Sequence, residues 1–241
     1  MKPIPWYYIY SPKYEIFHHM LSSSIGPTTD FNVRPVFLPQ EAFSNTYSIP
    51  GEHFFTGNTL KLDLMIKALE QHPGEHVIVS DVDVIADDSS NFRLYLESYM
   101  NNDITISPDV GTTIGNLGFI FLKSTPETIK FLKDAMFETY TTQKPDLDIV
   151  NKNLATFSGR HGLFTSEVTQ TNKFIIGSNF YILQLLCTNH ETYEKNLFEK
   201  LIAAARVLNI TDLLHLIPDN VLETLRWYFQ QNYPEHYISK L

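Results

Sequence analysis

The stretch His76-Val77-Ile78-Val79-Ser80-Asp81-Val82-Asp83-Val84-Ile85-Ala86 constrains the fold more than any other part of the chain. Val77, Ile78 and Val79 form an unbroken β-branched run, the pattern of a strand buried on both faces. In open α/β sheets built from such strands, ligands bind beyond the strands' carboxyl ends. Asp81 and Asp83 fall where this strand should end. Two carboxylates there are costly to bury unless a cation or a proton neutralises them. A hard divalent ion with oxygen ligands suits the pair, and the same ion can hold a diphosphate.

The flanking sequence fits such a sheet. Residues 4–10 read as a first strand, broken by Ser11-Pro12-Lys13, and residues 15–23 as a helix. Residues 32–38 read as a second strand that Pro35 places near an edge. Residues 39–54 read as a loop with turns at Asn45 and Pro50-Gly51. A helix capped by Thr56 or Asn58 and ended by Pro73-Gly74 follows, with Leu60, Leu64, Met65, Ala68 and Leu69 on one face. This strand, helix, strand order predicts parallel pairing.

Beyond the two aspartates, the pattern predicts a helix over 91–100, a short strand over 104–107, a turn over 111–115 and a strand over 117–123. Ser124-Thr125-Pro126-Glu127 opens a helix whose stripe is Ile129, Leu132, Met136 and Tyr140. Residues 145–154 read as a helix with an acidic start, residues 157–170 as irregular, and 174–176 and 180–187 as the last strands. From Glu191 onward the chain reads as helical, split by Pro218, and no internal repeat is present. The expected organisation is one α/β domain over 1–190, with a helical segment over 191–241 packed on it.

Hydrophobic residues make up 43% of the 241 and charged residues 19%, enough for a sizeable core. A net charge of -9 argues against a nucleic-acid partner. Any phosphate ligand then needs local Lys or Arg, or a metal, to offset the negative field. The single cysteine, Cys187, rules out an intramolecular disulfide and reads as a buried apolar position. No stretch suits a membrane span, and Met1 to Trp6 lacks the apolar core of a leader, so the expected location is cytoplasmic.

Four stretches together resemble metal-dependent glycosyltransferases of the GT-A type, and in particular the nucleotide-diphospho-sugar transferase family, found in eukaryotes, bacteria and large viruses. They are Tyr8-Ile9-Tyr10-Ser11-Pro12-Lys13-Tyr14, the Asp81-Val82-Asp83 strand, Asn116-Leu117-Gly118-Phe119 with the Ser124-Thr125-Pro126 helix start, and Asp146-Leu147-Asp148-Ile149-Val150-Asn151. The likeness runs from about Tyr8 to His190. Two departures stand out: Leu147 replaces the family's usual Gln, and Cys187-Thr188-Asn189-His190 only loosely meets its late metal-site histidine. The resemblance implies a GT-A fold, a mixed and mostly parallel sheet flanked by helices. It also implies transfer of a sugar from a nucleotide-diphosphate donor to a hydroxyl of a glycan or glycoconjugate, with Mn²⁺ or Mg²⁺.

The resemblance assigns Asp83 to the metal and Asp81 to metal and ribose. His190 is either the third ligand or a surface histidine at a helix start, with His161 the rival ligand in Gly159-Arg160-His161-Gly162, where Arg160 could meet a phosphate. Asp146 and Asp148 are the candidate catalytic pair: an inverting enzyme needs a carboxylate base, a retaining one a group near the donor sugar's other face. The plainer role for Asp146 is a helix cap. Tyr10, Ser11 and Lys13 end the first strand, where GT-A enzymes hold base and ribose; Tyr10 either stacks on the base or is a core aromatic. Lys61 faces either the diphosphate or solvent. Asn116 and Gly118 either let a ligand approach the backbone or form an ordinary turn. His18 and His19 read as surface residues.

Two other functions compete. A haloacid dehalogenase-type phosphatase would use Asp81 as nucleophile and Asp83 as general acid. Residues 121–124 imitate its second strand, but the motif lies far from the N-terminus and no later glycine–acid pair completes its Mg²⁺ site. A non-catalytic sugar-binding module on the same scaffold would not require both aspartates.

Overall fold

The computed structural model describes residues 2–27, 30–39, 52–86, 89–109, 114–165, 169–171, 180–186, 192–205, 207–208 and 211–232. The strands are β1 (Ile4–Tyr10), β2 (Phe31–Phe37), β3 (His76–Ser80), β4 (Val84–Ala86), β5 (Ile104–Pro108), β6 (Gly115–Lys123), β7 (His161–Leu163), β8 (Thr169–Thr171) and β9 (Ile182–Gln184). The helices are α1 (Glu15–Ile25), α2 (Glu52–Gln71), α3 (Ser89–Glu97), α4 (Pro126–Thr142), α5 (Asp146–Leu154), α6 (Tyr193–Ala205) and α7 (Asp219–Asn232).

Six strands form the main sheet in the order β2-β1-β3-β6-β5-β7. β1 runs parallel to β2 and β3, and β5 parallel to β7; β6 alone is reversed, antiparallel to β3 and β5. Pro35 has no N–H for a ladder and sits, as expected, on the edge strand β2. A second sheet, β4-β9-β8, begins directly after the Asp81-Val82-Asp83 turn.

Both faces of the main sheet are buried, and the alternation of side chains divides them. Trp6, Tyr8, Ile78, Phe119 and Phe121 face one core with Phe17 and Met20 of α1 and Phe92 of α3. Leu197, Leu201 and Ala204 of α6, and Val221 and Leu225 of α7, join that same core. Tyr7, Val77, Val79, Ile120 and Leu122 face the other, with Met65 and Leu69 of α2, Leu132 of α4 and Val150 of α5.

Several local expectations need correction. α2 starts at Glu52, ahead of the predicted caps Thr56 and Asn58, and buries Leu62, Met65, Ile66, Ala68 and Leu69, while Leu60 and Leu64 are half-buried. No breaker follows Pro50-Gly51, and Gly57 is tolerated inside the helix. α4 buries Thr128, Phe131, Leu132, Ala135 and Thr139, while Tyr140 is exposed. Its small residues sit on this stripe because α4 packs on α2. Thr125 caps α4, accepting the Thr128 N–H at 3.1 Å. Two three-residue strands break the stretch read as irregular, β7 within it and β8 across its end. Residues 40–51, the strand expected over 174–176, and Cys187 lie outside the described residues.

Candidate active site

The carboxyl ends of β1 and β3 open on a cavity of about 540 Å³. Tyr10, Ser11, Lys61, Asp81, Asp83, Asn116, Asp146 and Asp148 all line it, joined by Tyr14, Asn58, Gln184 and Lys200. The topology explains the convergence. β3 delivers Asp81, whose N–H still pairs with the Gly118 carbonyl at 2.8 Å, before the chain turns into β4. The reversed strand β6 brings its start, Asn116, to the same end of the sheet. Between β5 and β6 the register jumps: Ile106 faces Ile120, yet Ser107 faces Asn116. Leu117, Gly118 and Phe119 therefore bulge from the ladder beside the cavity, and bulges are a common way to aim residues at a site.

α5 is tied to β6 through Asn151, past its midpoint. The Asn151 carboxamide accepts the Gly115 N–H and donates to the Gly115 carbonyl, both at 2.8 Å. This clamp holds Asp146 and Asp148 opposite Asn116. Asp146 does act at its helix start, its Oδ1 accepting the Leu147 N–H at 2.9 Å. Its Oδ2 is buried without a hydrogen-bond donor and lies 3.8 Å from the Lys61 ammonium. Asp148 is exposed at the rim.

Two lysines neutralise the motif. Lys61 reaches Asp81 Oδ1 at 2.9 Å and is largely buried, not solvated. Lys200 of α6 pairs with Asp83 Oδ2, and both residues are buried. Burial pushes the Asp83 carboxyl above the usual carboxylate range; Lys200 opposes that shift and the Asp81 charge adds to it. Burial likewise raises Asp146, against the pull of Lys61 and with the push of Asp81. For Lys61, burial alone would lower the pKa, but Asp81 and Asp146 outweigh it and hold the ammonium charged above its ordinary range.

Tyr10 is half-buried, with one ring face stacked on His18 at 4.2 Å and an interplanar angle of 9°. His18 is thus a backing for Tyr10 and not a plain surface histidine; its Nδ1 lies 2.8 Å from the Tyr8 hydroxyl.

Other expected residues go elsewhere. Lys13 does not line the cavity; its ammonium sits over the Tyr193 ring, 4.7 Å from the centroid, and its carbonyl accepts the Tyr193 hydroxyl at 2.6 Å. At Gly118 the space on the Cβ side is already filled by a side chain: a Cβ there would lie 1.7 Å from Gln184 Nε2. His161 begins the edge strand β7 opposite Ile104, at the other end of the sheet, and is exposed. The Arg160 backbone pairs there with Asp103, its N–H donating to Oδ2 at 2.9 Å. His190 lies outside the described residues.

Lys200 and Gln184 were missed by sequence reasoning. Lys200 stands on the apolar stripe of α6 between Leu197, Leu201 and Ala204, a cation where a hydrophobe is expected. Gln184 ends an otherwise apolar run of β9. In each case the misplaced polar residue was the available signal.

Residues 54–202 match the model of a family described as nucleotide-diphospho-sugar transferase. No curated protein matches the chain. Among solved structures, it is similar to a glycosyltransferase involved in the glycosylation of the major capsid of PBCV-1, with a TM-score of 0.56 at 13% identity over 83% of this chain and 99% of that one. It is similar to the glycosyltransferase GlyE of Streptococcus pneumoniae TIGR4, with a TM-score of 0.56 at 12% identity, covering 90% of this chain but only 64% of that one. The galactosyltransferase LgtC, solved with donor and acceptor sugar analogues, aligns with a TM-score of 0.51 at 13% identity over 90% of this chain and 98% of that one. Identities this low establish the GT-A fold alone. The family match spans more than half of the chain and sets aside both the phosphatase and the non-catalytic module. The chain is a glycosyltransferase, and it belongs to the nucleotide-diphospho-sugar transferase family.

Proposed function

We propose that this glycosyltransferase is metal-dependent and moves a sugar from a nucleotide-diphosphate donor to a hydroxyl of a glycan acceptor, with Asp81 and Asp83 holding Mn²⁺ or Mg²⁺. The observation that carries the proposal is the meeting of the two motif carboxylates at the cavity wall, each against a lysine ammonium. Both carboxylates thus already face a cation.

The donor set suits a hard ion. Among the described residues no group of three His, Cys, Asp or Glu converges as metal ligands. Mg²⁺-type sites commonly use one or two carboxylates and take their other ligands from phosphate and water. The charges also call for a cation. Among the described residues, Asp81, Asp83, Asp146 and Asp148 line the cavity against two cations, Lys61 and Lys200, so a diphosphate would add negative charge to a wall that is not positive. A bound divalent ion would supply Lewis-acid stabilisation of the departing diphosphate.

The chain's own residues do the remaining work. Tyr10, backed by His18 and with Phe37 edge-on at 5.4 Å, contacts the base with its ring. Lys61, kept charged by its acidic neighbours, offsets negative charge beside the diphosphate. During transfer, the bond from the anomeric carbon to the diphosphate oxygen breaks and the acceptor oxygen bonds to that carbon. Asp146 and Asp148 flank the sugar and acceptor positions, and the exposed Asp148 is the better placed to accept the acceptor's proton.

A thermal-shift screen of nucleotide-sugars, with Mn²⁺ and with EDTA, tests this function. The correct donor at about a hundredfold excess over its Kd should raise Tm by roughly 5–10 °C, and only with the metal. A donor that stabilises equally in EDTA contradicts metal dependence.

A further inference from the structure

We propose that Gln184 reads the donor sugar: the oxygen of its buried carboxamide accepts a hydrogen bond from a sugar hydroxyl, a role that rests on the glycosyl-transfer function proposed above and names a recognition contact within it. Gln184 lines the cavity and is 3% exposed. It faces Val84 across the β4–β9 pairing, and the next residue, Leu185, donates its N–H to the Asp83 carbonyl at 2.9 Å. The side chain is therefore anchored beside the motif.

The orientation of its carboxamide follows from the backbone. The Gly118 N–H donates to Asn116 Oδ1 at 2.8 Å, which identifies that atom as the oxygen. Gln184 Nε2 donates to the same oxygen at 3.0 Å. Gln184 must present its nitrogen there, which leaves Oε1 as the carboxamide's remaining acceptor. That oxygen is buried and has no donor. Because Gly118 has no Cβ, the carboxamide lies flat against the strand, and any larger residue would expel it.

A buried amide oxygen without a donor is costly and rare in native structures. Among the described residues, seven buried side-chain polar atoms lack a hydrogen-bond partner, and three of these belong to cavity-lining residues: Asn58 Nδ2, Asp146 Oδ2 and Gln184 Oε1. Their concentration at the cavity points to a ligand that completes them. Asp146 and Gln184 are both acceptors, and both belong to the β6 side: Asn151 clamps α5 to Gly115, and Gln184 lies on Gly118. Phosphate oxygens do not donate, so the ligand portion on this side is rich in hydroxyl groups. Tyr10 and Ser11 follow β1, on the other side of β3, which leaves the base and ribose at the far end and the sugar here.

Calorimetry in Mn²⁺ tests the assignment with wild-type protein and Gln184→Leu. The titrants are UDP, GDP, UDP-glucose, UDP-galactose, GDP-mannose and the monodeoxy analogues of these donors. Gln184→Leu should bind the nucleoside diphosphate as wild type does, and bind the intact donor about tenfold to a hundredfold more weakly. Wild type should show a loss of the same size for one monodeoxy donor, and the variant should not distinguish that analogue from its parent. Equal loss of nucleoside diphosphate and donor, or no loss of either, overturns the role. If the variant does not fold, the wild-type series decides alone: equal affinity for every monodeoxy donor overturns it. Wild-type protein that binds no titrant at all overturns the glycosyl-transfer function as well, which separates the two failures.

Discussion

Asp83 and Lys200 neutralise each other although 117 positions separate them. Removing one member of a buried pair leaves an uncompensated charge, a change that typically costs about 3 kcal/mol. Lys200→Met should lose about that much stability in urea unfolding without divalent ions, because Asp83 then stays buried beside Asp81. Mn²⁺ should restore part of the loss in the variant and do less for wild type. An unchanged midpoint would show that Asp83 needs no cation. The aspartates themselves could be read from the sequence, since a β-branched run leads straight into them. Their lysine could not be paired with them, because nothing local links a late helix to an early strand. Gln184 was hidden in the same way. Its partners, Asn116 and Gly118, stand out in the sequence, but neither reading of Gly118, close ligand approach or an ordinary turn, foresees that another side chain fills the space beside it.

The strands that organise the fold were readable because both their faces are buried, so that β1 and β3 are continuous apolar runs. β7 and β8 were not, since three residues carry no period. The α4 stripe was misjudged because Thr128, Ala135 and Thr139 face α2, where close packing selects small residues over the larger Ile129 and Met136. β3 also carries a pH-sensitive residue at its start. His76 stacks on Phe121 at 4.7 Å, and burial is the main cause that lowers its pKa from the ordinary 6.5. A histidine depressed in the fold binds protons more readily when unfolded. Its contribution to stability is therefore complete above about pH 6.5 and declines as pH falls toward the folded value. His76→Phe should keep the stack and flatten the stability profile between about pH 7 and pH 5. His18 and His72 are depressed too, so part of the slope should remain. A profile identical to wild type would mean that His76 is not desolvated.

The sheet with its two helical layers brings segments from across the chain to one edge: the ends of β1 and β3, the start of β6, the helix α2, the start of α5, the end of β9 and one lysine of α6. The mixed, mostly parallel sheet flanked by helices follows the GT-A pattern that the four sequence stretches implied. The arrangement also sets an electrostatic condition. A chain of net charge -9, with four aspartates at the cavity, is a poor host for a diphosphate unless a cation accompanies it. No helix among the described residues is long and apolar enough to cross a membrane. The most direct test of this account is calorimetric titration of UDP and GDP into wild-type protein and Asp83→Ala, each in Mn²⁺ and in EDTA. One nucleotide should bind wild type in Mn²⁺. Both EDTA and the substitution should weaken it by at least the roughly tenfold to hundredfold that loss of even an outer-shell partner costs a metal site. Equal affinity in all four titrations would contradict the assignment of a metal-held diphosphate to the Asp81-Val82-Asp83 strand end.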